Sequence, residues 1–348
     1  MRETPRQLSS PDLGSPKKVW NLLCEKDEAT SRNVSVFNRH PHINPKMRTI
    51  LLEWLIEVCH DQRLHRETFH LAVDYLDKLL HLMSNILPQQ LQLIGSTSLV
   101  IAMKMEEIYP PKISTIAHLT DGCCSESEIC GMEQYILHKL EWKCTPITTI
   151  HWLALYLQLM STAEPQEPFP SNRKTAALHF RRASQHVSDI GCNTSDSHFY
   201  PDQRCTVSKL MRDEFIRLAT VVDLVTLDTQ SMQFRYRELA AAVIWCCYEP
   251  DNLLQEITGF RRDELQHVLE YVEPFVIHCE KLEPTGIKIP LYMDINADDA
   301  HNIQSLMTDA VKHLELINNN RRKKSEKWPH AKHHRTRKRK ICVINNFL

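Results

Sequence analysis

The sequence predicts an all-α protein, and three observations carry that prediction: scarce glycine, long stretches of apolar residues at helical spacing, and proline at the ends of those stretches. Seven glycines occur in 348 residues, against an average usage of about 7%. Sheets need glycine in their tight turns, and phosphate-cradling loops need it for close backbone approach. Hydrophobic residues make up 42% and charged residues 24%, so the chain can bury real cores, and its length suits about two domains of roughly 150 residues.

The same numbers exclude several functions. Gly14, Gly95, Gly122, Gly131, Gly191, Gly259 and Gly286 are not spaced for a dinucleotide fingerprint or a Walker loop. The 12 cysteines form no C-x-x-C pair and read as reduced intracellular thiols. The N-terminus does not resemble a signal peptide, and no apolar run approaches the ~18 residues of a membrane span. A soluble intracellular protein is expected.

Residues 1–17 are polar, carry Pro5 and Pro11, and are expected to be disordered. Ser15-Pro16-Lys17-Lys18 has the form accepted by proline-directed kinases, and Ser10-Pro11 and Thr4-Pro5 are looser versions. A short helix is predicted over 18–26. From Lys46, the apolar residues Met47, Ile50, Leu51, Leu52, Trp54, Leu55, Ile56 and Val58 wrap most of a helix at about 100° per residue. Thr49, Glu53 and Glu57 form its narrow polar strip. Arg48 falls inside the apolar arc and needs a partner, which Asp74 or Asp77 of the next helix, 66–82, can supply.

A third helix, 88–107, carries the small residues Gly95-Ser96-Thr97-Ser98 and stops at Pro110-Pro111. Ser125-Glu126-Ser127-Glu128 is a capping box opening a fourth helix, and a fifth apolar run covers 150–160 after Pro146. Residues 161–207 lose periodicity and gather prolines, as a long insertion does. Helices resume over 207–225, 236–248 and 262–280. The small-residue helix around Ala240-Ala241-Ala242 repeats the order seen at Gly95, which suggests two related helical bundles in tandem.

Chemistry-bearing residues are few. His60-Asp61, with His40 or His42 and Asp121 as further ligands, is the nearest approach to a metal-dependent hydrolase, but a histidine just past a helix also suits the negative helix end. Cys192, His198 and Cys205 match no zinc-finger spacing. No catalytic set, metal or cofactor is predicted. Eleven Lys or Arg against Glu326 give residues 321–340 a charge of +10, which leaves −11 on the rest of a chain whose total is −1. Arg321-Arg322-Lys323-Lys324 and Arg337-Lys338-Arg339-Lys340 read as a signal for a nuclear import receptor. Trp328 is the only aromatic there, so nucleic-acid binding has little support.

Two long runs identify a family. Met47-Arg48-Thr49-Ile50-Leu51-Leu52-Glu53-Trp54-Leu55 resembles the signature helix of the cyclin box, and Lys104-Met105-Glu106-Glu107-Ile108-Tyr109-Pro110-Pro111 resembles the end of its third helix. Leu64-His65-Arg66-Glu67-Thr68-Phe69, Leu91-Gln92-Leu93-Ile94-Gly95 and Asp298-Asp299-Ala300-His301-Asn302-Ile303-Gln304 resemble the E-type, G1/S-specific branch.

The resemblance implies two tandem five-helix cyclin folds with an N-terminal helix. The first box with that helix would occupy 18–145. The second would occupy 146–305, with its insertion at 161–207, and a C-terminal helix and basic tail would follow at 306–348. It implies a nuclear, non-catalytic activator of a cyclin-dependent kinase at the G1/S transition. Lys104 and Glu133 would meet the ends of the kinase's mobile helix, with Met105, Leu137 and Trp142 as the apolar floor.

Met47, Ile50, Leu51, Trp54 and Gln92 would form a patch that docks Arg-x-Leu segments of substrates and inhibitors, with Glu57 taking the arginine. Arg48 would pair with Asp77. An alternative is a transcription-factor-like double cyclin fold that binds DNA through its tail. The chain departs from the family at Ile86-Leu87-Pro88, where an arginine commonly edges the docking patch. It also has no Thr-Pro after Ala300 to form the usual phosphorylated destruction signal, and at Thr4-Pro5 the residue four positions on is Leu8.

Overall fold

A computed structural model describes residues 15–30, 32–162, 209–282, 298–303 and 309–326. Twelve α-helices are described: α1 (Pro16–Glu28), α2 (Pro45–Asp61), α3 (Arg66–Leu82), α4 (Pro88–Glu106), α5 (Ile113–Leu119), α6 (Glu126–Lys139), α7 (Thr149–Thr162), α8 (Lys209–Leu227), α9 (Tyr236–Cys247), α10 (Asp251–Thr258), α11 (Gln266–Leu282) and α12 (Ala310–Glu326). Among the described residues there is no strand, only a single bridge between His65 and Asn302. No described helix is long and apolar enough to cross a membrane.

The predicted helices are present, with ends shifted by a few residues. Pro45 and Pro88 occupy first-turn positions, where a missing N–H costs nothing. Asn44 accepts the Met47 N–H at 3.0 Å to cap α2. Ser125 and Glu128 form the reciprocal capping box of α6. The short helices α5 and α10 were not evident from periodicity, since seven or eight residues hold barely two turns. Residues 161 and 162, placed above in the insertion 161–207, belong instead to α7, which continues to Thr162. The remainder of the insertion lies outside the described residues, with Cys192, His198, Cys205, Thr4 and Ser10.

Each bundle is built around one helix buried on nearly every side, α3 in the first and α9 in the second. For α9 this follows from Ala240, Ala241 and Ala242, all fully buried, which let neighbours close in. For α3 the reason is less visible, because the helix buries Arg66, His70, Asp74 and Asp77. These charges are satisfied by partners in the other bundle as well as its own.

Asp77 takes Arg48 through two bonds, Nε–Oδ1 at 2.7 Å and Nη2–Oδ2 at 2.8 Å, and Arg48 Nη1 donates to the Thr226 carbonyl at 3.3 Å. Asp74 takes Lys78 at 2.7 Å and the Tyr236 hydroxyl at 2.9 Å. Asp223 of α8 takes Arg66 at 2.8 Å and His70 at 3.1 Å. Thr49, placed above on an exposed polar strip, is instead buried and donates to the Leu227 carbonyl at 3.0 Å. The polar seam between the bundles therefore claims it.

Burial alone would raise the Asp223 carboxyl, but the Arg66 charge and the His70 hydrogen bond overcome that and hold it below the usual carboxylate range. A depressed carboxyl contributes stability that is complete above its ordinary range and is lost as pH falls through the lowered value. Asp223→Asn is therefore expected to be less stable than the parent at neutral pH, with the gap closing below about pH 4. Urea midpoints across pH check this, and a constant gap down to pH 3 would contradict it.

The N-terminal helix is anchored to the second bundle. Trp20 is fully buried and meets Trp152 edge-on at 5.7 Å. Arg237 lies over Trp20 at 5.2 Å and over Phe260 at 4.3 Å, and its backbone N–H reaches Asp27 at 3.1 Å. At the other end of the chain, α12 packs on α2, α8 and α11.

Candidate functional site

The face holding Lys104 and Glu133 is made by the last turn of α4 and the middle of α6. Pro110 and Pro111 stop α4 just beyond Lys104, so this cation sits at the helix's negative end. Glu107 then pins that end to the start of α3. It accepts the His65 N–H at 2.8 Å and the Thr68 hydroxyl at 2.5 Å, and pairs with His65 Nδ1 at 2.9 Å. Burial would raise its carboxyl, but the His65 and Thr68 hydrogen bonds hold it below the usual range.

Lys104 Nζ and Glu133 Oε1 are 2.6 Å apart, and the lysine side chain is 46% exposed. Both residues named from the sequence thus meet at one point on the surface. Met105 beside them is 46% exposed, and Trp142 is 73% exposed. Leu137 is half-buried against the core, so it forms the base of this face.

Trp142 is held outward by the backbone. Glu141 and Trp142 have φ of 52° and 59°, a left-handed pair without glycine, which costs of order 1–3 kcal/mol per residue. The turn recovers part of that cost by satisfying the end of α6: Glu141 N–H donates to His138 O at 3.1 Å and Trp142 N–H to Leu137 O at 3.0 Å. Ile108 and Tyr109, at 84% and 92% exposed, extend the apolar surface, and sequence reading assigned them no role. Their signal was a bulky apolar pair stranded directly before two prolines.

The second candidate surface lies on α2. Ile50 is 50% exposed, Glu57 is exposed, and Met47, Trp54 and Gln92 are half-buried. Leu51 is not part of this surface. It is buried against α4, where a Cβ added to Gly95 would come within 2.8 Å of Leu51 Cδ2. Gly95 is therefore what lets α2 and α4 close, with Leu51 as the floor beneath the patch. The Glu57 carboxyl is raised by desolvation and by the neighbouring Glu53 and Asp61. At the departure noted from the sequence, Ile86 is buried and Leu87 is exposed.

The remaining candidates separate. His40 is fully buried, with Nε2 2.7 Å from the Leu80 carbonyl and Nδ1 accepting the Ile86 N–H, so it clasps the loop before α4. His60 and Asp61 contact each other at 3.1 Å on the surface. Among the described residues no three or more His, Cys, Asp or Glu gather as a metal site would require. Arg321, counted above in the free basic tail, is instead folded into α12. It donates to the Tyr271 carbonyl and lies over the Tyr271 and Phe275 rings at 4.7 Å. Ser15 is exposed at the start of α1.

Residues 18–145 match the family model described as the cyclin N-terminal domain. The chain is 37% identical over 295 residues to the G1/S-specific cyclin-E of Caenorhabditis elegans, covering 84% of this chain and 51% of that protein. The chain belongs to the cyclin family. This cyclin is also 39% identical over 329 residues to the G1/S-specific cyclin-E of Drosophila melanogaster, with 90% and 43% covered. For G1/S-specific cyclin-E1 of Danio rerio the identity is 35% over 304 residues, with 87% and 64% covered. The chain thus spans between 43% and 64% of the length of these relatives. The X-ray structure of a viral cyclin from herpesvirus saimiri superposes with a TM-score of 0.53 at 16% identity, covering 76% of this chain and 99% of that one. This likeness supports the all-α cyclin fold.

Proposed function

We propose that this cyclin is the regulatory, non-catalytic subunit of a cyclin-dependent serine/threonine kinase acting at the G1/S transition in the nucleus. The observation that carries the reading is the Lys104–Glu133 pair, standing on the surface beside the exposed Met105, with Ile108 and Tyr109 exposed just past the end of α4. A lysine and a carboxylate side by side can offer a donor and an acceptor to the two ends of a partner helix, while the surrounding apolar side chains supply desolvated area. A subunit that binds the active conformation of its kinase more tightly than the inactive one shifts the population toward it. The activity of the kinase requires its mobile helix to bring a glutamate to the ATP-binding lysine, so pressing on that helix is an effective point of control. The cyclin-E names of the relatives support the G1/S assignment.

On the same reading, Met47, Ile50, Trp54, Gln92 and Glu57 recruit substrates and inhibitors through Arg-x-Leu segments, with Leu51 packing underneath. The basic segment 337–340 serves an import receptor, and Ser15 is the phosphorylation site with a described, exposed position. The test mixes the purified chain with a monomeric cyclin-dependent kinase and measures histone phosphorylation. Activation by the parent chain and its loss in Lys104→Ala and Glu133→Ala are expected, whereas equal activity in all three would overturn the reading.

A further inference from the structure

The docking strip on α2 has two unlike walls. At about 100° per residue, Leu51 lies at the edge facing α4 and Gly95, whereas Lys46 and Glu53 share the opposite edge. There α12 runs alongside, with the Ala310 N–H bonded to Glu53 Oε1 at 2.7 Å and Glu315 Oε1 3.4 Å from Lys46 Nζ. Between these walls stand Met47, Ile50, Trp54 and Glu57. The rim carries Glu53, Glu57, Asp61 and Glu315 beside Lys46.

The helix that forms this wall is also the one that leads into the basic tail. Beyond Glu326 the sequence continues to Arg337-Lys338-Arg339-Lys340-Ile341, and Arg339-Lys340-Ile341 is an arginine followed two positions later by a branched apolar residue. From the part of α12 beside Lys46 to Glu326 the helix rises less than about 20 Å. Residues 327–338 can span about 40 Å when extended, so the segment can return to the strip.

We propose that Arg339-Lys340-Ile341 docks on the α2 strip of its own chain, with Arg339 at Glu57 and Ile341 against Ile50 and Trp54, and so competes with external Arg-x-Leu segments. This inference rests on the docking reading above and adds regulation to it. Tethering supplies an effective concentration near the millimolar range, so a motif of modest intrinsic affinity keeps the strip largely occupied. External ligands then bind more weakly by the fraction of strip left free. The acidic rim and basic tail attract each other, and salt weakens that attraction. A kinase or import receptor that engages the tail would open the strip.

The experiment uses the full chain and two labelled peptides read by fluorescence anisotropy: residues 331–345 of this chain, and an unrelated Arg-x-Leu peptide. The proteins are the parent, Arg339→Ala/Ile341→Ala, the same pair with Glu57→Lys, and Arg6→Ala/Leu8→Ala. The last variant removes Arg6-Gln7-Leu8, the rival internal motif. Both peptides are expected to bind Arg339→Ala/Ile341→Ala about tenfold more tightly than the parent, and Glu57→Lys, an exposed change, should abolish the gain.

The inference is overturned if the 331–345 peptide binds no variant, or binds without regard to Glu57. It is equally overturned if the gain appears in Arg6→Ala/Leu8→Ala instead. Should the Arg-x-Leu peptide bind parent and tail variant equally, through Glu57, self-docking fails while the docking reading stands. Binding of the 331–345 peptide alone, dependent on Glu57, would uphold self-docking and remove the external ligands.

Discussion

Asp77→Asn is expected to destabilise this cyclin by about 3–5 kcal/mol, the cost of breaking a buried ion pair from one side. Asparagine fits the space, so the loss is electrostatic rather than steric. Arg48 is fully buried, spans two bonds to Asp77 and a third to the Thr226 carbonyl, and cannot shed its proton. With one neutral amide oxygen opposite it, the guanidinium remains charged in a medium that solvates it poorly. Denaturant unfolding would show a lowered midpoint with the slope unchanged. The paired change Arg48→Met/Asp77→Leu should recover most of the loss, since two apolar side chains leave no charge behind. A midpoint equal to the parent's in Asp77→Asn would mean that the seam does not hold the bundles together as described.

Exchanging the charges, Lys104→Glu with Glu133→Lys, is expected to preserve the local ion pair and still abolish kinase activation. A surface pair at 2.6 Å with a lysine half in water contributes little to folding, so the swapped chain should unfold where the parent does. If the pair acted only to hold α4 against α6, the swap would keep function intact. On the proposed reading each residue faces a partner group of fixed polarity, and reversal places donor against donor. Affinity for the kinase should drop by roughly 30-fold or more, the scale of a hot-spot loss. Calorimetric titration against the kinase measures this directly, and activation restored to the parent level would refute the assignment.

Helix order, the capping box of α6 and the charge pair at Arg48 were legible because each is a local pattern with a local cause. Ser125 and Glu128 need only each other, and an arginine inside an apolar arc announces a nearby acid. What could not be read were the features decided across the junction. Thr49 looked like solvent-facing polarity on α2, but its partner is a carbonyl on α8 far along the chain. By periodicity α2 looked buried on several sides, yet α3 is the central helix although it buries Arg66, Glu67, His70, Asp74 and Asp77, because Asp223, Thr226 and Tyr236 converge on the seam it shares with Arg48. Leu51 and Ile50 are adjacent in sequence and equally apolar. They point about 100° apart around the helix, and the missing side chain of Gly95 is what leaves Leu51 its place against α4.

The backbone at Glu141 and Trp142 was equally hidden, since neither residue type favours a left-handed conformation. For the site itself, the resemblance named Lys104 and Glu133 together as a polar pair, and the structure adds that they touch. Ile108 and Tyr109 stayed unassigned because exposure of an apolar residue is invisible to periodicity once the helix has ended.

The distribution of partners across the junction also bears on dissection of the molecule. A fragment cut at 145 would contain the whole region that matches the family model, yet Trp20 would lose Trp152, Arg66 would lose Asp223 and Asp74 would lose Tyr236. The family model and autonomous folding therefore have different borders in this chain, and a truncated first box would expose bare charges and an unburied indole where the intact molecule has an interior.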